Sequence, residues 1–332
     1  MASSHSPPSP SKRNGSNSSR RQYSGDRSSS GFFKLGEIRQ PRDEDFDHLL
    51  RLAENHEKWL LKHDKNGVRV WMREIPGQTV KMLKVYCHFK TITGQVLYDT
   101  LQDSDYRTQW DEALLEEQTI CLVEGTNSDL CYYSMKCPNP LRNRDFVYQR
   151  CWKVIEGKEY ITFNHSVGHQ SFPPNKEFIR GVSMVTGVVV REAAEGCTAC
   201  YVTHSDPRGK IPKWLLNIVA SKIAPRIFLK IAQAAEKYPE WKKRNRPEHR
   251  PWVDPTKYGV PIVSISELLQ FSPDTIPLTP RAGEPDYLGP EEQLEEDNET
   301  VPDGIESFLA NGGSKGKTGN GESNVGVKNT PE

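Results

Sequence analysis

The stretch PKWLLNIVASKIAPRIFLKIAQAAEKYPEWKKRN, residues 212–245, decides how the remainder of the chain can fold. Its apolar residues recur at helical spacing, which predicts one long helix with a broad apolar face. Pro212 stands in the first turn, where a missing amide hydrogen costs little. Pro225 interrupts the hydrogen-bond ladder and is expected to kink the helix midway. The predicted apolar face comprises Trp214, Leu215, Ile218, Val219, Ile223, Ile227, Phe228, Ile231, Ala235 and Tyr238.

Such a face needs an apolar surface to cover, and runs rich in β-branched and aromatic residues between residues 118 and 206 supply it. Short breaks that contain Gly, Asn or Asp separate most of these runs, which favours an antiparallel meander over a parallel sheet. Two earlier strands are predicted at 68–74 and 81–90, and two earlier helices at 45–63 and 93–110. The sequence therefore predicts an α+β domain in which the last helix grips a curved antiparallel sheet.

Both ends of the chain differ from this middle part. Residues 1–42 are rich in Ser and Pro and carry eight basic and two acidic residues. Because they contain little apolar surface to bury, they are expected to be disordered. Residues 284–306 carry ten carboxylates and no basic residue, which is typical of a solvated tail. We therefore assign 43–267 to one domain and 268–332 to a second disordered tail, acidic at first and then rich in Gly and Ser.

Composition and motifs exclude several classes of protein. Lys plus Arg and Asp plus Glu number 44 each, so net charge does not favour a nucleic-acid partner. No apolar run approaches the roughly 18 residues of a membrane span, and no apolar signal peptide is evident at the start. The motifs of serine hydrolases, P-loops, zinc proteases and dinucleotide-binding folds are absent. With seven scattered cysteines, these features predict a cytoplasmic protein that has no catalytic centre, metal or cofactor.

The segment DSDYRTQWD, residues 103–111, is the first candidate for a binding site. Arg107 and Asp111 are spaced i, i+4, so they can form a charge-assisted pair on one helical turn. On spacing alone, a surface pair on a solvated helix explains the same pattern.

Two neighbouring strands supply the second candidate. Alternation places Tyr133 and Met135 on one face of the first strand, and Phe146 and Tyr148 on one face of the next. Four such side chains are ordinarily core packing. The alternative is a cavity around a cation, because aromatic faces attract quaternary ammonium groups.

Four segments together resemble the START family, the StAR-related lipid-transfer proteins, and within it the phosphatidylcholine-transfer subgroup. They are DSDYRTQWD (103–111), CPNPLRNRDFVY (137–148), PRGKIPKWLLN (207–217) and KYPEWKK (237–243). The resemblance extends over roughly residues 40–267. It implies the START helix-grip fold, in which a curved sheet surrounds a lipid tunnel and the kinked C-terminal helix is its lid. It also implies that one glycerophospholipid is bound per chain and carried between membranes without chemical change.

The resemblance assigns roles to individual residues. Arg107 is expected to meet the lipid phosphate with Asp111 as its partner, a task that suits the planar, permanently charged guanidinium. Met184 stands where the subgroup has an aromatic ring, which leaves room for phosphatidylethanolamine beside phosphatidylcholine, because a smaller ammonium needs fewer rings and more acceptors. The headgroup cage implied by the resemblance comprises Tyr133, Met135, Phe146, Tyr148, Met184 and Thr186.

Charge along the last helix bears on membranes. Residues 208–250 carry twelve basic against three acidic residues, which favours reversible docking on anionic membranes over a merely solvated helix. The start of the lid is expected to touch the bilayer, and two lysines near its end are expected to promote transfer. These residues are Ile211, Trp214, Leu215, Lys242 and Lys243. The acidic tail is expected to compete for the same basic face, with Ser307 as a candidate phosphorylation site.

Other functions stay open at this point. The same pocket could serve a lipid-gated sensor or interaction protein that recruits partners through its tails, or it could hold a sterol, although a sterol would use the Arg107–Asp111 pair poorly. An enzyme would need a polar catalytic group in the cavity. Transfer of lipid between vesicles by the purified protein distinguishes a carrier from a sensor. The protein is expected to act as a monomer.

Overall fold

One long curved sheet organises the computed structural model, which describes residues 32–78, 80–137, 141–209 and 218–271. The strands in these ranges are β1 (Leu60–Lys65), β2 (Val68–Arg73), β3 (Met82–Phe89), β4 (Leu114–Val123), β5 (Ser128–Met135), β6 (Arg144–Ile155), β7 (Glu159–Ser166), β8 (Ile179–Arg180), β9 (Val182–Glu192), β10 (Cys197–Asp206) and β11 (Ile262–Val263). Their order is β1-β2-β3-β10-β9-β7-β6-β5-β4-β11, with β8 beside β6. The predicted antiparallel meander is confirmed, and only the short β8 and β11 pair parallel to their neighbours.

Helices cover both faces of this sheet. They are α1 (Asp43–Glu54), α2 (Gly94–Gln102), α3 (Ser104–Trp110), α4 (Ala224–Arg244) and α5 (Ile265–Phe271). A π-helical segment, Val219–Ile223, leads into α4, and a 3₁₀ turn, Pro255–Tyr258, follows it. None of the helices in the described part of the chain is long and apolar enough to cross a bilayer.

The two faces of the sheet bury different partners. Because side chains alternate along a strand, Val189 and Val190 point to opposite sides. Val190 packs in the cluster that includes Phe228 and Ile231 of α4, and we call this side the α4 face. Val189 packs in the cluster that includes Leu49 of α1, and we call this side the α1 face. The α+β architecture with a gripping C-terminal helix is therefore as predicted.

The predicted helix at 45–63 is wrong in its second half. Helix α1 ends at Glu54, and Leu60–Lys65 forms the edge strand β1. The reason is the pair Asn66-Gly67, whose positive φ angles of 54° and 75° join β1 to β2 in a two-residue hairpin. Such a turn matches the twist of antiparallel strands, so it selects a hairpin where helical spacing alone suggested a longer helix.

The predicted helix at 93–110 is divided in two. The Asp103 amide donates to Asp99 O at the end of α2, and the Asp103 side chain accepts from the Tyr106 amide at the start of α3. Asp103 thus ends one helix and caps the next, which changes the direction of the chain before Arg107.

Packing begins earlier and ends later than the predicted boundaries at 43 and 267. Phe33 and Ile38 are 5% and 3% exposed, and Leu268 in α5 is 1% exposed. The boundaries move because these side chains fill apolar clusters under the sheet. The predicted disorder is therefore wrong for residues 32–42 and 268–271. For residues 1–31 and 272–332, which lie outside the described ranges, it stays a prediction.

The long C-terminal helix changes its hydrogen-bond pattern where Pro225 predicts a kink. The π-helical segment ends immediately before α4, and Pro225 lies in the first turn of α4. The predicted start of the helix at residues 212–217 lies outside the described residues. Ile227, predicted on the apolar face, is instead 44% exposed, because the buried stripe of Phe228 and Ile231 is narrower than expected.

Candidate functional site

Arg107 lies in α3, the short helix between α2 and β4. Its Nε atom donates a hydrogen bond to Asp111 Oδ2 at 3.0 Å, so the pair predicted from the spacing forms. Its Nη1 atom donates to Glu117 Oε1 on β4 at 3.3 Å. The guanidinium is therefore held between two carboxylates, of which the sequence predicted only one.

The two carboxylates keep Arg107 charged inside the protein. Burial by itself would lower the pKa of Arg107, but the charges of Glu117 and Asp111 outweigh burial and raise this pKa above its usual value. A permanently charged guanidinium with a planar set of donors is suited to an anionic group such as phosphate.

Arg107 is enclosed by protein and yet keeps accessible surface, which indicates an internal space beside it. Protein surrounds the guanidinium and desolvates it, yet 28% of the side chain remains accessible. Tyr133 and Tyr201 are likewise deeply enclosed and only half-buried. Accessible surface on enclosed groups lines an internal space, and Tyr201 places this space on the α4 face, where its ring lies 6.1 Å from that of Phe228.

Four predicted cage residues come together beside Arg107. Tyr133 pairs with Phe146 across β5 and β6, and their rings stack with centroids 4.9 Å apart. Tyr148 meets Tyr133 edge to face at 5.6 Å, and Met135 packs against the same cluster. The Arg107 Cζ atom lies 5.6 Å from the centre of the Tyr133 ring. Cationic and aromatic groups thus share one site, as expected.

Thr186 belongs to a neighbouring cluster of hydroxyl groups. Its Oγ1 atom lies 2.7 Å from Thr203 Oγ1 and 2.9 Å from Ser205 Oγ, within hydrogen-bond distance of both. Burial raises the pKa of the Tyr201 phenol, while hydrogen bonds to Thr203 and Thr186 and the charge of Arg107 partly offset the rise. Tyr201 and Thr186 therefore lie on the same face of the sheet as this hydroxyl cluster. Met184 is half-buried on the same face of β9.

The structure separates the predicted membrane-docking residues. Lys242 is buried, with a side chain 5% exposed, and its Nζ atom donates to Asp103 Oδ2 at 2.8 Å and to His249 O at 2.6 Å. The predicted docking role of Lys242 is therefore wrong, because its side chain points into the protein and pairs with Asp103 instead of facing the surface. Lys243 is 71% exposed and pairs with Glu240 at 2.7 Å. Ile211, Trp214 and Leu215 lie outside the described residues.

Sequence reasoning missed Glu117, Tyr201 and Asp103. A strand predicted to begin at residue 118 left Glu117 outside the sheet, although β4 begins at Leu114 and pairs Glu117 with Tyr133. Period-two alternation carried back from β4 would have placed Glu117 on the inner face. Within the described ranges, no cluster of three or more His, Cys, Asp or Glu side chains could hold a metal ion.

A curved antiparallel sheet gripped by its last helix, with a charged and aromatic site in the space between them, defines a helix-grip binding protein. The START domain family matches residues 42–242, and the chain belongs to this family, the StAR-related lipid-transfer proteins. It is 35% identical over 233 residues to mouse START domain-containing protein 10. The matched region covers 70% of this chain and 79% of that protein. It is 26% identical over 184 residues to human phosphatidylcholine transfer protein, with 54% of this chain and 85% of that protein covered.

Solved structures agree with this assignment. The crystal structure of human STARD10 matches with a TM-score of 0.65 at 34% identity and covers 69% of this chain and 94% of that one. Human StAR-related lipid transfer protein 5 matches with a TM-score of 0.52 at 18% identity, which supports the fold alone.

Proposed function

We propose that this protein binds one glycerophospholipid, phosphatidylcholine or phosphatidylethanolamine, and transfers it between membranes without chemical change. The observation that carries the proposal is the Arg107 guanidinium, charged and desolvated yet partly open to an internal space. A lipid phosphate would occupy the open part of the guanidinium, while Asp111 and Glu117 accept from its Nε and Nη1 atoms. The names of the relatives, which include a phosphatidylcholine transfer protein, support the same ligand class.

Apolar side chains continue the site along the α4 face and would take the acyl chains. Leu83 and Val188 are only half-buried there and pack against the cluster that includes Phe228 and Ile231 of α4. Each buried methylene is worth about 0.8 kcal/mol, so a diacyl lipid stays in the protein until the covering helix opens against another apolar environment. Transfer therefore requires contact with a membrane.

The outer side of the C-terminal helix fits such a contact. Ile227 and Leu229 of α4 are 44% and 43% exposed, and the basic Lys222 and Arg226 are exposed next to them. Apolar and basic side chains on one surface favour reversible docking on anionic lipid. We propose that the protein acts in the cytoplasm as a monomer and that this surface supports transient membrane association.

Native mass spectrometry of the full-length protein purified from cells tests the ligand. We expect one phosphatidylcholine or phosphatidylethanolamine per chain and its loss in Arg107→Ala. Arg191→Ala is the matched control, because Arg191 also lies between two carboxylates, Glu159 and Glu54, but on the α1 face. A bound sterol, or equal lipid loss in both variants, would refute the assignment of Arg107. Bound phospholipid without transfer between vesicles would favour the sensor function.

A further inference from the structure

We propose that Glu117 makes the site prefer headgroups that end in a primary ammonium over those that end in a trimethylammonium, an inference that rests on the proposed function. Glu117 has an unused acceptor. Its Oε1 atom accepts from Arg107 Nη1 at 3.3 Å, whereas its Oε2 atom is buried without a hydrogen-bond partner in the described part of the chain. The side chain is only 8% exposed, and a buried carboxylate oxygen without a donor is unfavourable.

The register of the sheet fixes Glu117 beside the aromatic cluster. Glu117 on β4 lies opposite Tyr133 on β5, and Tyr133 lies opposite Phe146 on β6. Glu117 therefore stands at the junction between Arg107 and the aromatic rings, where the headgroup of a phospholipid bound through its phosphate would lie.

Headgroup chemistry then decides the preference. In an ethanolamine headgroup, two carbon atoms separate the ester oxygen of the phosphate from an ammonium that has three N–H donors. A phosphate on Arg107 brings this ammonium next to Glu117, because both groups contact the same guanidinium. The terminal torsion of a glutamate is broad, so Oε2 can turn to accept a charge-assisted hydrogen bond. A trimethylammonium group has no N–H and cannot donate one.

The aromatic rings offer a trimethylammonium group less than a cage would. Tyr133 and Phe146 stack with an interplanar angle of 12°, so each ring covers one face of the other. Tyr148 presents an interplanar angle of 73° to Tyr133. Recognition of a quaternary ammonium uses several ring faces turned towards one point. In the stack, one face of Tyr133 and one face of Phe146 cover each other and are not available to a ligand. Met135 and Met184 contribute no ring.

The charge balance acts in the same direction. One cationic side chain, Arg107, stands between two carboxylates, Asp111 and Glu117. A zwitterionic lipid adds a phosphate to the arginine and a cation to the carboxylates. An anionic lipid without a cationic headgroup would add only negative charge, which the carboxylates disfavour.

A competition experiment with the full-length protein tests the role of Glu117. The protein is incubated with vesicles that contain equal amounts of phosphatidylethanolamine and phosphatidylcholine with identical acyl chains, and the bound lipids are quantified by mass spectrometry. The wild type should bind more phosphatidylethanolamine, and Glu117→Gln should lower the bound ratio about tenfold, the worth of one hydrogen bond to a charged group. Glu116→Gln, the same change at the exposed neighbouring position, should leave the ratio unchanged.

The outcomes separate this inference from the proposed function. An unchanged ratio in Glu117→Gln, with lipid still bound, would overturn the role of Glu117 and leave phospholipid binding intact. An equal fall in both lipids would mean that Glu117 only positions Arg107. A wild type that binds neither lipid would refute the proposed function itself.

A second measurement uses the wild type alone and so does not depend on the folding of a variant. Phosphatidylethanolamine, its N-methyl and N,N-dimethyl derivatives and phosphatidylcholine compete in turn against one labelled phospholipid. Each methyl group removes one N–H donor, and the affinity should fall most at the last step, which removes the last donor. Affinity that is level or rises along the series would contradict a hydrogen bond to Glu117.

Discussion

Replacing Lys242 by alanine should destabilise the protein far more than replacing the adjacent Lys243. The Lys242 Nζ atom lies 2.8 Å from Asp103 Oδ2, and the two side chains are 5% and 2% exposed. Removing one partner of a buried ion pair leaves the other charge uncompensated and typically costs about 3–5 kcal/mol. Tyr238 also donates to Asp103 Oδ2, at 3.1 Å, so part of the negative charge keeps a partner and the lower end, about 3 kcal/mol, is expected.

Lys243→Ala is the matched control. Lys243 is 71% exposed, and its pair with Glu240 is worth at most about 1 kcal/mol. Urea unfolding followed by circular dichroism gives the free energy of unfolding of the wild type and both variants. Equal losses of unfolding free energy in Lys242→Ala and Lys243→Ala would refute the buried pair. Both lysines would then be surface residues of similar role.

Two further predictions concern pH and membranes. The pKa of buried His165 is about 4, below its usual 6.5, so the unfolded chain gains the proton first as the pH falls and stability drops between these values. The part of this loss that His165 contributes is about 2 kcal/mol at pH 5 relative to pH 7. Urea unfolding at both pH values measures this difference in the free energy of unfolding, and His165→Gln should reduce it. If His165→Gln leaves the difference unchanged, His165 is not its source. Lys222→Glu should weaken co-sedimentation with anionic vesicles about tenfold, and equal weakening by Arg51→Glu on α1 would contradict a docking face at Lys222.

Most of the sheet was predictable because its strands carry their own local signal. Strands such as β6 and β9 are rich in β-branched and aromatic residues, and each is followed closely by a turn. Strand β1 was not predictable from helical spacing, because Leu60 and Leu61 continue the apolar positions of α1 and yet lie 60% and 47% exposed at the sheet edge. Its partner strand and the turn at Asn66-Gly67 determine β1.

The candidate site was predictable in part for a similar reason. Arg107 and Asp111 lie one turn apart, so their pairing can be read locally. Glu117 reaches the same guanidinium from another element, and only the register of β4 brings it there. Lys242 pairs with a residue that lies 139 positions earlier, so a count of charges along the helix could not distinguish it from Lys243.

The capping residue Asp103 has a consequence for the order of events during lipid exchange. One oxygen of Asp103 fixes the first turn of the helix that bears Arg107, and the other holds the far end of α4 through Lys242. Both bonds lie far along α4 from Pro225, so under the proposed function a movement confined to the Pro225 end would not break them. Movement at the Lys242 end would disturb the support of Arg107 as well. Under the proposed function, opening of α4 at its Pro225 end would leave the support of Arg107 intact.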